Sequence, residues 1–440
     1  MNILIIGSGA REHAIAVALH RSPQQPHIFC CGTSLNPGIQ QMAFHYWVGD
    51  ITDIATIARL APEWHIDLAI IGPEAPLEKG LADALWKAGI PVIGPKRELA
   101  QIETSKSFAR ELMKQYHIPG LPRFRRFNTL EGAAEFLAEL GDGNYVVKAN
   151  GLMSGKGVKV AGDHLHSFAE AIGFCKTILA QGQSFVIEEK LLGQEFSFMC
   201  FSDGEHIVPM PVVQDHKRAY VNDKGPNTGG MGSYSDANHS LPFLTEKDLH
   251  CAHEINEAVL RALSTELNDK YIGILYGSFI ATRNGIYVIE FNARFGDPEC
   301  LNVLTILESD FVGICQSLIA GNLSGKQVRF AHKATVCKYA VPEGYPDSPM
   351  QNAVIDIAAV KNKAQLYLAS VNAVEGKIFA TGSRTAAYVG VGHTISEAEE
   401  VAEKEIRAIQ GPLFHREDIG TDSLIQRRID EMRRLRAGQL

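Results

Sequence analysis

The 440-residue sequence lacks the features that mark several large classes of protein. Its eight cysteines form no C-x-x-C pair, which argues against a zinc knuckle or a disulfide scaffold. Lys and Arg number 42 against 50 Asp and Glu, and the net charge of −8 is unfavourable for sequence-blind nucleic-acid binding. No apolar run reaches the roughly 18 residues of a membrane span. The start, MNILIIGSGA, lacks the basic n-region of a signal peptide. We therefore expect a cytoplasmic protein without nucleic-acid or membrane partners.

The composition and the alternation of short apolar runs with helical patterns predict a folded α/β protein. Apolar residues make up 45% of the chain and charged residues 21%, as in ordinary globular proteins. Strands alternate with helices over about the first 100 residues, which predicts a doubly wound parallel sheet. Helical periodicity runs from Lys96 to about Gln115, and a strand hairpin is predicted around the Asn284-Gly285 pair.

Two glycine-rich loops are candidate phosphate sites. Gly7 and Gly9 match the first half of G-x-G-x-x-G, but position 12 is Glu, which weakens a dinucleotide interpretation. The second loop, GLMSGKGV, has the wrong spacing for a P-loop. It lies between two predicted strands, where a flap over polyphosphate or an ordinary hairpin tip are the alternatives, and Lys148 and Lys156 add positive charge.

The cluster VIEFNARFGDPE is the sharpest candidate site in the sequence. Glu290 and Asn292 are i and i+2 on a predicted strand, so their side chains share a face. Carboxylate and amide oxygens are hard ligands that suit Mg²⁺. Arg294 shares that face if the strand continues, and it suits an anionic oxygen.

Two further polar segments are candidates for nucleotide and substrate contacts. The strand that ends at Glu188 is expected to expose backbone groups to an adenine edge, and Glu195 is placed to bind ribose hydroxyls; a solvated surface is the alternative. The stretch from Asp215 to Ser235 has no periodicity, which is typical of a functional loop. Within it, residues 227–232 are predicted to form a backbone nest for an anion.

Taken in order, the motifs GSGAREHA, GPEAPL, SKSFARELM, VVKANGLMSGKGV, EEKLLGQEFSF, DHKR, GPNTGGMGSYS and IEFNARFGDPE carry a resemblance. The chain resembles the phosphoribosylamine–glycine ligase (glycinamide ribonucleotide synthetase) family of ATP-grasp enzymes. The resemblance covers almost the whole chain and thins after about Pro346. It implies an N-terminal substrate-binding α/β domain at 1–105, an ATP-grasp domain at 106–325 with a mobile lid at about 120–190, and a small α+β domain at 326–440.

The resemblance also implies an activity, cofactors and site residues. The enzyme would join glycine to 5-phosphoribosylamine with ATP and Mg²⁺ or Mn²⁺, through glycyl phosphate, in purine biosynthesis; we expect a monomer. The implied catalytic residues are Asp215, Lys217 and Arg294, and the implied metal ligands are Glu290 and Asn292. The implied ATP-binding residues are Lys106, Lys148, Gly151, Ser154, Gly155, Lys156, Gly157, Glu188, Glu189, Leu191 and Glu195. The implied substrate-binding residues are Gly9, Arg11, Glu12, Asn36, Pro37, Gly38, Gly72, Pro73, Glu74, Asn227, Thr228, Gly229, Gly230, Met231 and Gly232.

The chain departs from the family pattern at several positions, among them Asn150, Lys190, Cys300 and Ser383. These departures leave open an ATP-grasp ligase with a different acid or amine. An NAD-dependent oxidoreductase is a further alternative, but it requires an acidic residue about 20 residues past the first glycine loop, where the sequence reads HIFCCG. A non-catalytic nucleotide-binding regulator is disfavoured by the presence of Lys148, Glu290 and Asn292.

Overall fold

The computed structural model describes residues 1–152 and 157–439. Three positions predicted from the glycine flap, Ser154, Gly155 and Lys156, lie outside the described residues. Among those that are described, no helix has the length and apolar character to cross a membrane.

The N-terminal part contains a parallel sheet with helices packed against it. Its strand order is β3-β2-β1-β4-β5, and each recorded pairing is parallel, which confirms the predicted doubly wound arrangement. Residues 3–6 of the first strand are fully buried because helices cover both faces of a parallel sheet. Its elements are β1 (Asn2–Ile6), α1 (Ala10–His20), β2 (His27–Gly32), α2 (Pro37–Gln40), β3 (Ala43–Val48), α3 (Ile54–Glu63), β4 (Leu68–Ile71), α4 (Glu74–Glu78), α5 (Leu81–Lys87), β5 (Val92–Ile93) and α6 (Arg97–Thr104).

The second part forms a small antiparallel sheet with the order β6-β9-β7-β8. Its apolar residues, which include Phe127, Phe185 and Ile187, pack into a core separate from the main one. The lid predicted at about 120–190 thus coincides with a unit that has its own core. Its elements are α7 (Lys106–Gln115), which leads into it, β6 (Phe124–Phe127), α8 (Ala133–Leu140), β7 (Tyr145–Ala149), β8 (Val158–Val160), α9 (Phe168–Ala180) and β9 (Phe185–Glu189).

The helical stretch predicted from Lys96 to Gln115 is two helices, α6 and α7. The helix is interrupted at Ser105, whose backbone is extended. The Ser105 hydroxyl accepts from the Phe108 amide and so forms the N-cap of α7. The break places Lys106 at the first position of α7, at the positive end of that helix.

The third part is built on the sheet β11-β10-β16-β17. The predicted hairpin is present, but the register pairs Thr282 with Gly285, so the two turn residues are Arg283 and Asn284, one position earlier than predicted. Its elements are β10 (Gly193–Asp203), β11 (Ile207–Pro209), β12 (Gln214–Asp215), β13 (Arg218–Tyr220), β14 (Lys224–Asn227), β15 (Gly232–Ser235), α10 (Glu246–Leu267), β16 (Ile272–Thr282), β17 (Gly285–Asn292), α11 (Glu299–Thr305) and α12 (Phe311–Ala320).

A sheet that joins distant segments lies next to this part. Its order is β12-β15-β18-β23-β20, so residues 232–235 pair with residues 335–338, while residues 214–215 pair with residues 233–234. The segment predicted to be a loop without periodicity is therefore anchored in strands at both of its ends. The remaining elements are β18 (Ala334–Pro342), β19 (Val354–Ile355), β20 (Leu366–Leu368), β21 (Val371–Val374), β22 (Lys377–Ala380), β23 (Ala386–Gly392), α13 (Ile395–Ile406), β24 (Leu413–Phe414) and α14 (Asp422–Arg436).

Candidate active site

A buried carboxylate links the lid to the rest of the chain. Glu188, on β9, accepts from Arg110 at 2.7 and 3.0 Å and lies 2.7 Å from Lys148 Nζ. Burial raises the pKa of Glu188, but Arg110 and Lys148 outweigh it and hold that pKa at about 2. The carboxylate therefore stays charged and holds two cationic side chains in fixed positions.

The same two cations reach the strand that carries the predicted metal ligands. Lys148 Nζ donates to the Ile289 carbonyl at 3.0 Å. Arg110 donates to the Val288 carbonyl at 3.1 Å and to the Ile289 carbonyl at 2.7 Å. The ion cluster thus sets the distance between the lid sheet and β17.

A cavity of about 180 Å³ lies between the lid and β17. Lys106 lines it and donates from Nζ to the Gly151 carbonyl at 3.0 Å, at the start of the glycine flap. Asn150 joins the flap to α7, because its Oδ1 accepts from the Ser107 amide at 3.1 Å. The lining residues combine several cations with acidic and amide oxygens: Glu74, Ile102, Glu103, Lys106, Ala109, Arg110, Lys148, Leu152, Gly157, Val158, Glu188, Ile289, Glu290, Phe291, Asn292 and Arg294.

Glu290 and Asn292 both line this cavity, as their i, i+2 spacing on β17 predicts. Burial raises the pKa of Glu290, but Lys217, Lys106 and Lys148 lower it overall. An ionised carboxylate beside an amide oxygen fits a hard divalent cation, so the donor set is chemically suited to Mg²⁺ or Mn²⁺.

Arg294 lies just beyond the end of β17 and is held by acidic side chains. Its guanidinium is 3.0 Å from Glu103 and 3.4 Å from Glu74, and it donates to Asn292 Oδ1 at 3.3 Å. Burial raises the pKa of Glu103 to about 6, even though Arg294 opposes the shift. Glu74 has a pKa of about 2 because Arg294 and Arg11 outweigh its burial.

The first glycine loop meets the same region, but its helix N-terminus is already capped. Glu12 accepts from the Gly9 amide at 2.7 Å and pairs with Arg11 at 2.6 Å. Glu12 also packs against Gly72, where an added Cβ would lie 1.9 Å from Glu12 Oε1. The Gly9 amide, expected to suit a phosphate, is thus occupied by the carboxylate that replaces the third glycine of the dinucleotide motif. Arg11 reaches across to the Phe295 carbonyl at 3.3 Å.

The structure gives residues 36–38 a packing role. Asn36 is fully buried, and its amide nitrogen donates to the carbonyls of Ser8 and Leu368 at 2.9 and 2.8 Å. Its Oδ1 accepts from the Gly38 amide, and an added Cβ at Gly38 would fall 2.1 Å from the His13 ring. Asn36 therefore has its hydrogen-bonding groups committed to the protein, and Pro37 and Gly38 follow it at the start of α2.

Asp215 has a carboxylate oxygen whose hydrogen-bonding capacity is not used by the described residues. Its Oδ1 is buried and has no hydrogen-bond partner among the described residues. Burial first, and then the neighbouring Glu299, raise its pKa well above the ordinary value, while Lys217 opposes the shift. Lys217 in turn is 3.2 Å from Glu195, and this carboxylate is the main reason why the pKa of Lys217 is raised.

The backbone nest predicted at residues 227–232 is not supported by the structure. The Thr228 amide donates to the Lys217 carbonyl at 2.7 Å, and the Gly230 amide donates to the Thr228 hydroxyl at 3.0 Å. The Met231 amide donates to the His216 carbonyl at 2.8 Å. Because these amides are satisfied inside the protein, the segment does not present them together to an anion; Asn227 and Gly229 are exposed at its tip, and Gly232 begins β15.

The expected adenine edge also differs from the prediction. Glu188 pairs with Val146 on one side and Phe124 on the other, so its backbone lies inside the sheet. Glu189 closes the strand, and its side chain accepts from the Arg123 amide at 2.7 Å. The polypeptide leaves the sheet only at Leu191, which is half-buried, before β10 begins.

Models of known protein families match most of the length of the chain. Family models for phosphoribosylglycinamide synthetase match residues 1–103 (N domain), 104–300 (ATP-grasp (A) domain) and 335–422 (C domain). The chain belongs to the phosphoribosylglycinamide synthetase family. The resemblance inferred from the motifs is thereby confirmed.

Members and structural relatives of the family support the assignment along the whole chain. The phosphoribosylamine–glycine ligase of Methanosarcina barkeri is 47% identical over 436 residues, which cover 99% of this chain and 100% of the relative. The crystal structure of the Thermotoga maritima phosphoribosylamine–glycine ligase has a TM-score of 0.81 at 27% identity, covering 95% of this chain and 100% of that one. The biotin carboxylase domain of Hydrogenobacter thermophilus 2-oxoglutarate carboxylase, described in complex with MgADP, shares the fold: TM-score 0.71 and 15% identity, covering 99% and 95% of the two chains.

Several residues of the site were not anticipated from the sequence. Arg110 had a usable signal, because it lies four residues after Lys106 on one helix and so shares its face. Glu299 ends the motif VIEFNARFGDPE but was given no role there. Glu103 and Arg384 had no usable signal, since their contacts join segments that are far apart in the chain.

We expect Glu188→Gln to destabilise the protein by about 3–5 kcal/mol near neutral pH, because it leaves Arg110 and Lys148 buried without their anion. The destabilisation caused by Glu188→Gln should become smaller as the pH is lowered. Since the folded-state pKa of Glu188 is depressed to about 2, its contribution is complete above its ordinary pKa of 4.5 and is lost as pH falls towards 2. Urea titrations of both proteins from neutral pH to about pH 3 measure this.

The matched control is Glu139→Gln. Glu139 pairs with Arg123 on the lid surface, where its side chain is 51% exposed. A surface pair of this kind contributes at most about 1 kcal/mol. Equal losses in Glu188→Gln and Glu139→Gln would contradict the importance given to the buried carboxylate.

Proposed function

We propose that this site joins glycine to 5-phosphoribosylamine, with ATP converted to ADP and phosphate, and that the product is glycinamide ribonucleotide, an intermediate of purine biosynthesis. The observation that carries the proposal is the cavity between the lid and β17, where Lys106 and Lys148 face the ionised Glu290. Such an arrangement of cations and hard oxygens is what phosphoryl transfer needs. The family assignment and the full-length relatives named for this activity support it.

The lysines and the flap are assigned to the ATP phosphates. Lys106 lies at the N-terminus of α7 and contacts the first residue of the flap, Gly151. Lys148 is fixed by Glu188, so its charge is oriented before any ligand arrives. Preorganised charge of this kind stabilises a transition state without having to reorganise during the reaction.

Glu290 and Asn292 are assigned to a divalent cation, with Mg²⁺ preferred and Mn²⁺ as the alternative. Two protein oxygens match the small number of protein ligands that Mg²⁺ takes beside substrate phosphates. When bound, the cation would neutralise charge on the phosphoryl oxygens. Lys217 contributes to the ionised state of Glu290 and so supports this pair.

The amino acid substrate is assigned to Asp215 and Arg294. Asp215 has a buried, unpartnered oxygen among the described residues, and an ammonium group would supply the missing donor and countercharge. Arg294 would take the carboxylate. Its nitrogens already contact Glu74 and Glu103, and the longer of these contacts, to Glu74 at 3.4 Å, is the one that a substrate carboxylate would replace.

The reaction follows in two displacements. A carboxylate oxygen of glycine attacks the γ-phosphorus, and the bond to the β-γ bridging oxygen breaks to release ADP. The amine of phosphoribosylamine then attacks the carbonyl carbon of glycyl phosphate. The C–O bond to the phosphate breaks, so phosphate leaves with the carboxylate oxygen that attacked phosphorus, and the new amide nitrogen loses a proton. Asp215 and Arg294 hold the reactive carboxylate in place for the first step, where orientation has its largest effect.

The direct test is ADP release with substrates omitted one at a time. Sustained release is expected only when glycine and phosphoribosylamine are both present, and alanine should not replace glycine. Equal turnover with another amino acid or another amine would favour the alternative function, an ATP-grasp ligase with a different acid or amine. The cytoplasmic location and the monomeric state stay predictions.

We expect ATP to order the lid. The lid has its own core, and its polar contacts with the remainder include the ion cluster, Asn150 and Gly151 at the start of the flap, and the pair of Asp163 with Arg218. A unit with a separate core can move as one body when such contacts exchange. Hydrogen exchange of β7 and β8 should slow with ATP and Mg²⁺, whereas exchange in β1, which belongs to the main core, should not change. Equal exchange in β7 and β8 with and without ATP would contradict a mobile lid.

We expect Glu290→Ala to abolish ligase turnover while leaving the fold intact, because the variant loses the anionic member of the metal pair. Loss of that charge stabilisation should lower kcat by several orders of magnitude. The control is Glu254→Ala, on the exposed face of α10, where Glu254 has only a surface contact with His250. Near-normal kcat for Glu290→Ala at saturating Mg²⁺, with wild-type Tm, would overturn the assignment.

We expect Arg294→Lys to raise the KM for glycine by about tenfold or more and to lower kcat, because lysine keeps the charge but loses the planar fork. Asp215→Asn should mainly raise the KM for glycine. The KM for ATP serves as the internal control and should change little. If both variants raised the KM for ATP and left the KM for glycine unchanged, these residues would belong to the nucleotide site instead.

A further inference from the structure

Arg384, in the segment that precedes β23, reaches into the substrate side of the site. Its Nη1 atom donates to the carbonyls of Gly229, Gly230 and Asp297 at 2.7, 3.3 and 2.9 Å. These carbonyls belong to two segments that are far from Arg384 in sequence: Gly229 and Gly230 are 155 and 154 positions away, and Asp297 is 87 positions away. One guanidinium thus ties the 229–230 turn to the chain that follows Arg294.

The guanidinium is itself held in a single orientation. The Nη2 atom of Arg384 is 3.2 Å from Asp297 Oδ2. The guanidinium group lies over the ring of Tyr339, and its central carbon is 4.6 Å from the ring centre. The Tyr339 hydroxyl donates to Asp297 Oδ1 at 2.6 Å, which fixes the carboxylate from the other side. Because both its charge and its face are engaged, Arg384 cannot rotate without breaking several contacts.

The turn that Arg384 holds packs directly on Asp215. Gly230 has a φ of +111°, and an added Cβ there would lie 2.6 Å from Asp215 Oδ1 and 2.7 Å from Pro298. The Gly230 backbone therefore forms one wall around the carboxylate oxygen that lacks a partner among the described residues. A shift of this turn would change the position or the hydration of Asp215.

We propose that Arg384 is a positioning residue for the amino acid substrate: it holds the Gly229–Gly230 turn against Asp215 and so sets the site for the ammonium group. The inference rests on the proposed function and deepens it. It gives the region after residue 330 a part in substrate binding, through a side chain that none of the sequence motifs included.

The charge of Arg384 has a second, separable effect on Asp215. Burial and Glu299 raise the pKa of Asp215, and Lys217 and Arg384 oppose that rise. Tyr276 and Cys337 are further titratable groups that interact with Asp215. Removing the positive charge of Arg384 should raise the pKa of Asp215 further, so the ionised form would require a higher pH.

Two variants separate the geometry from the charge. Arg384→Met keeps most of the length but loses both the charge and the hydrogen bonds, and Arg384→Lys keeps only the charge. Arg433→Met is the matched control, because Arg433 lies on α14 with its side chain 71% exposed and pairs only with nearby Asp430 among the described residues. Each protein is assayed for ADP release over a range of glycine, ATP and pH, and hydrogen exchange at residues 228–231 is followed without substrates.

The expected result is a rise in the KM for glycine of about tenfold or more in both Arg384 variants, with the KM for ATP unchanged. The acidic limb of kcat/KM for glycine should move to higher pH in Arg384→Met and stay in place in Arg384→Lys. Exchange at residues 228–231 should be faster in both variants, and Arg433→Met should match the wild type throughout.

Three outcomes are distinguishable. Wild-type protein that releases no ADP in response to glycine would contradict the proposed function, whatever the variants do. An unchanged KM for glycine, or unchanged exchange at residues 228–231 in Arg384→Met, would overturn the role of Arg384 even if the wild type is a fully active ligase. A general loss of Tm with equal rises in the KM values for glycine and ATP would assign Arg384 to structure alone.

Discussion

The buried carboxylate of Glu188, shared between Lys148 and Arg110, is the interaction on which the proposed nucleotide side of the site depends. Three charges lie where solvent is nearly absent, so none can be removed without leaving another unpaired. The group also crosses three elements, since Glu188 is on β9, Lys148 on β7 and Arg110 on α7. Both cations then bond to carbonyls of β17, and the position of the lid relative to Glu290 and Asn292 follows from this cluster.

The proposed substrate side is arranged on the same principle with the roles of the charges exchanged. Cations surround a carboxylate on the proposed nucleotide side, whereas carboxylates surround a cation on the proposed substrate side. There the fixed cations are Arg294 and Arg384, and they are oriented by acidic side chains: Glu74 and Glu103 for the first, Asp297 for the second. Asp215 differs from these acids because its Oδ1 lacks a partner among the described residues. An anion buried with an incomplete set of donors costs free energy in the empty protein, and a cationic ligand recovers that cost when it binds. This difference is the physical basis for placing the ammonium group of the substrate at Asp215.

Residues of the site could be predicted from the sequence where their spacing is local, and could not be predicted where the contacts join distant segments of the chain. Glu290 and Asn292 were predictable, because a strand places i and i+2 on one face, and Arg110 was recoverable from its spacing to Lys106 on α7. Strand β3 has a weak sequence signal because, as an edge strand, it is largely exposed and lacks the continuous apolar run of its neighbours. The pairing of residues 232–235 with residues 335–338 leaves no local periodic signal, so Arg384 could not be placed near Gly230 from sequence. The nest prediction used the glycine content of the loop correctly but could not show that its amides are satisfied by neighbouring carbonyls.

The central claim is that the site transfers the γ-phosphoryl group of ATP to the carboxylate of glycine before the amide forms. Glycine labelled with ¹⁸O in both carboxylate oxygens tests this directly, because the oxygen that attacked phosphorus leaves with phosphate in the second displacement. The account predicts one ¹⁸O atom in each inorganic phosphate released and one retained in the amide product. Unlabelled phosphate, with the second ¹⁸O atom released into water, would contradict it, since the carboxylate oxygen would then never have been bonded to phosphorus.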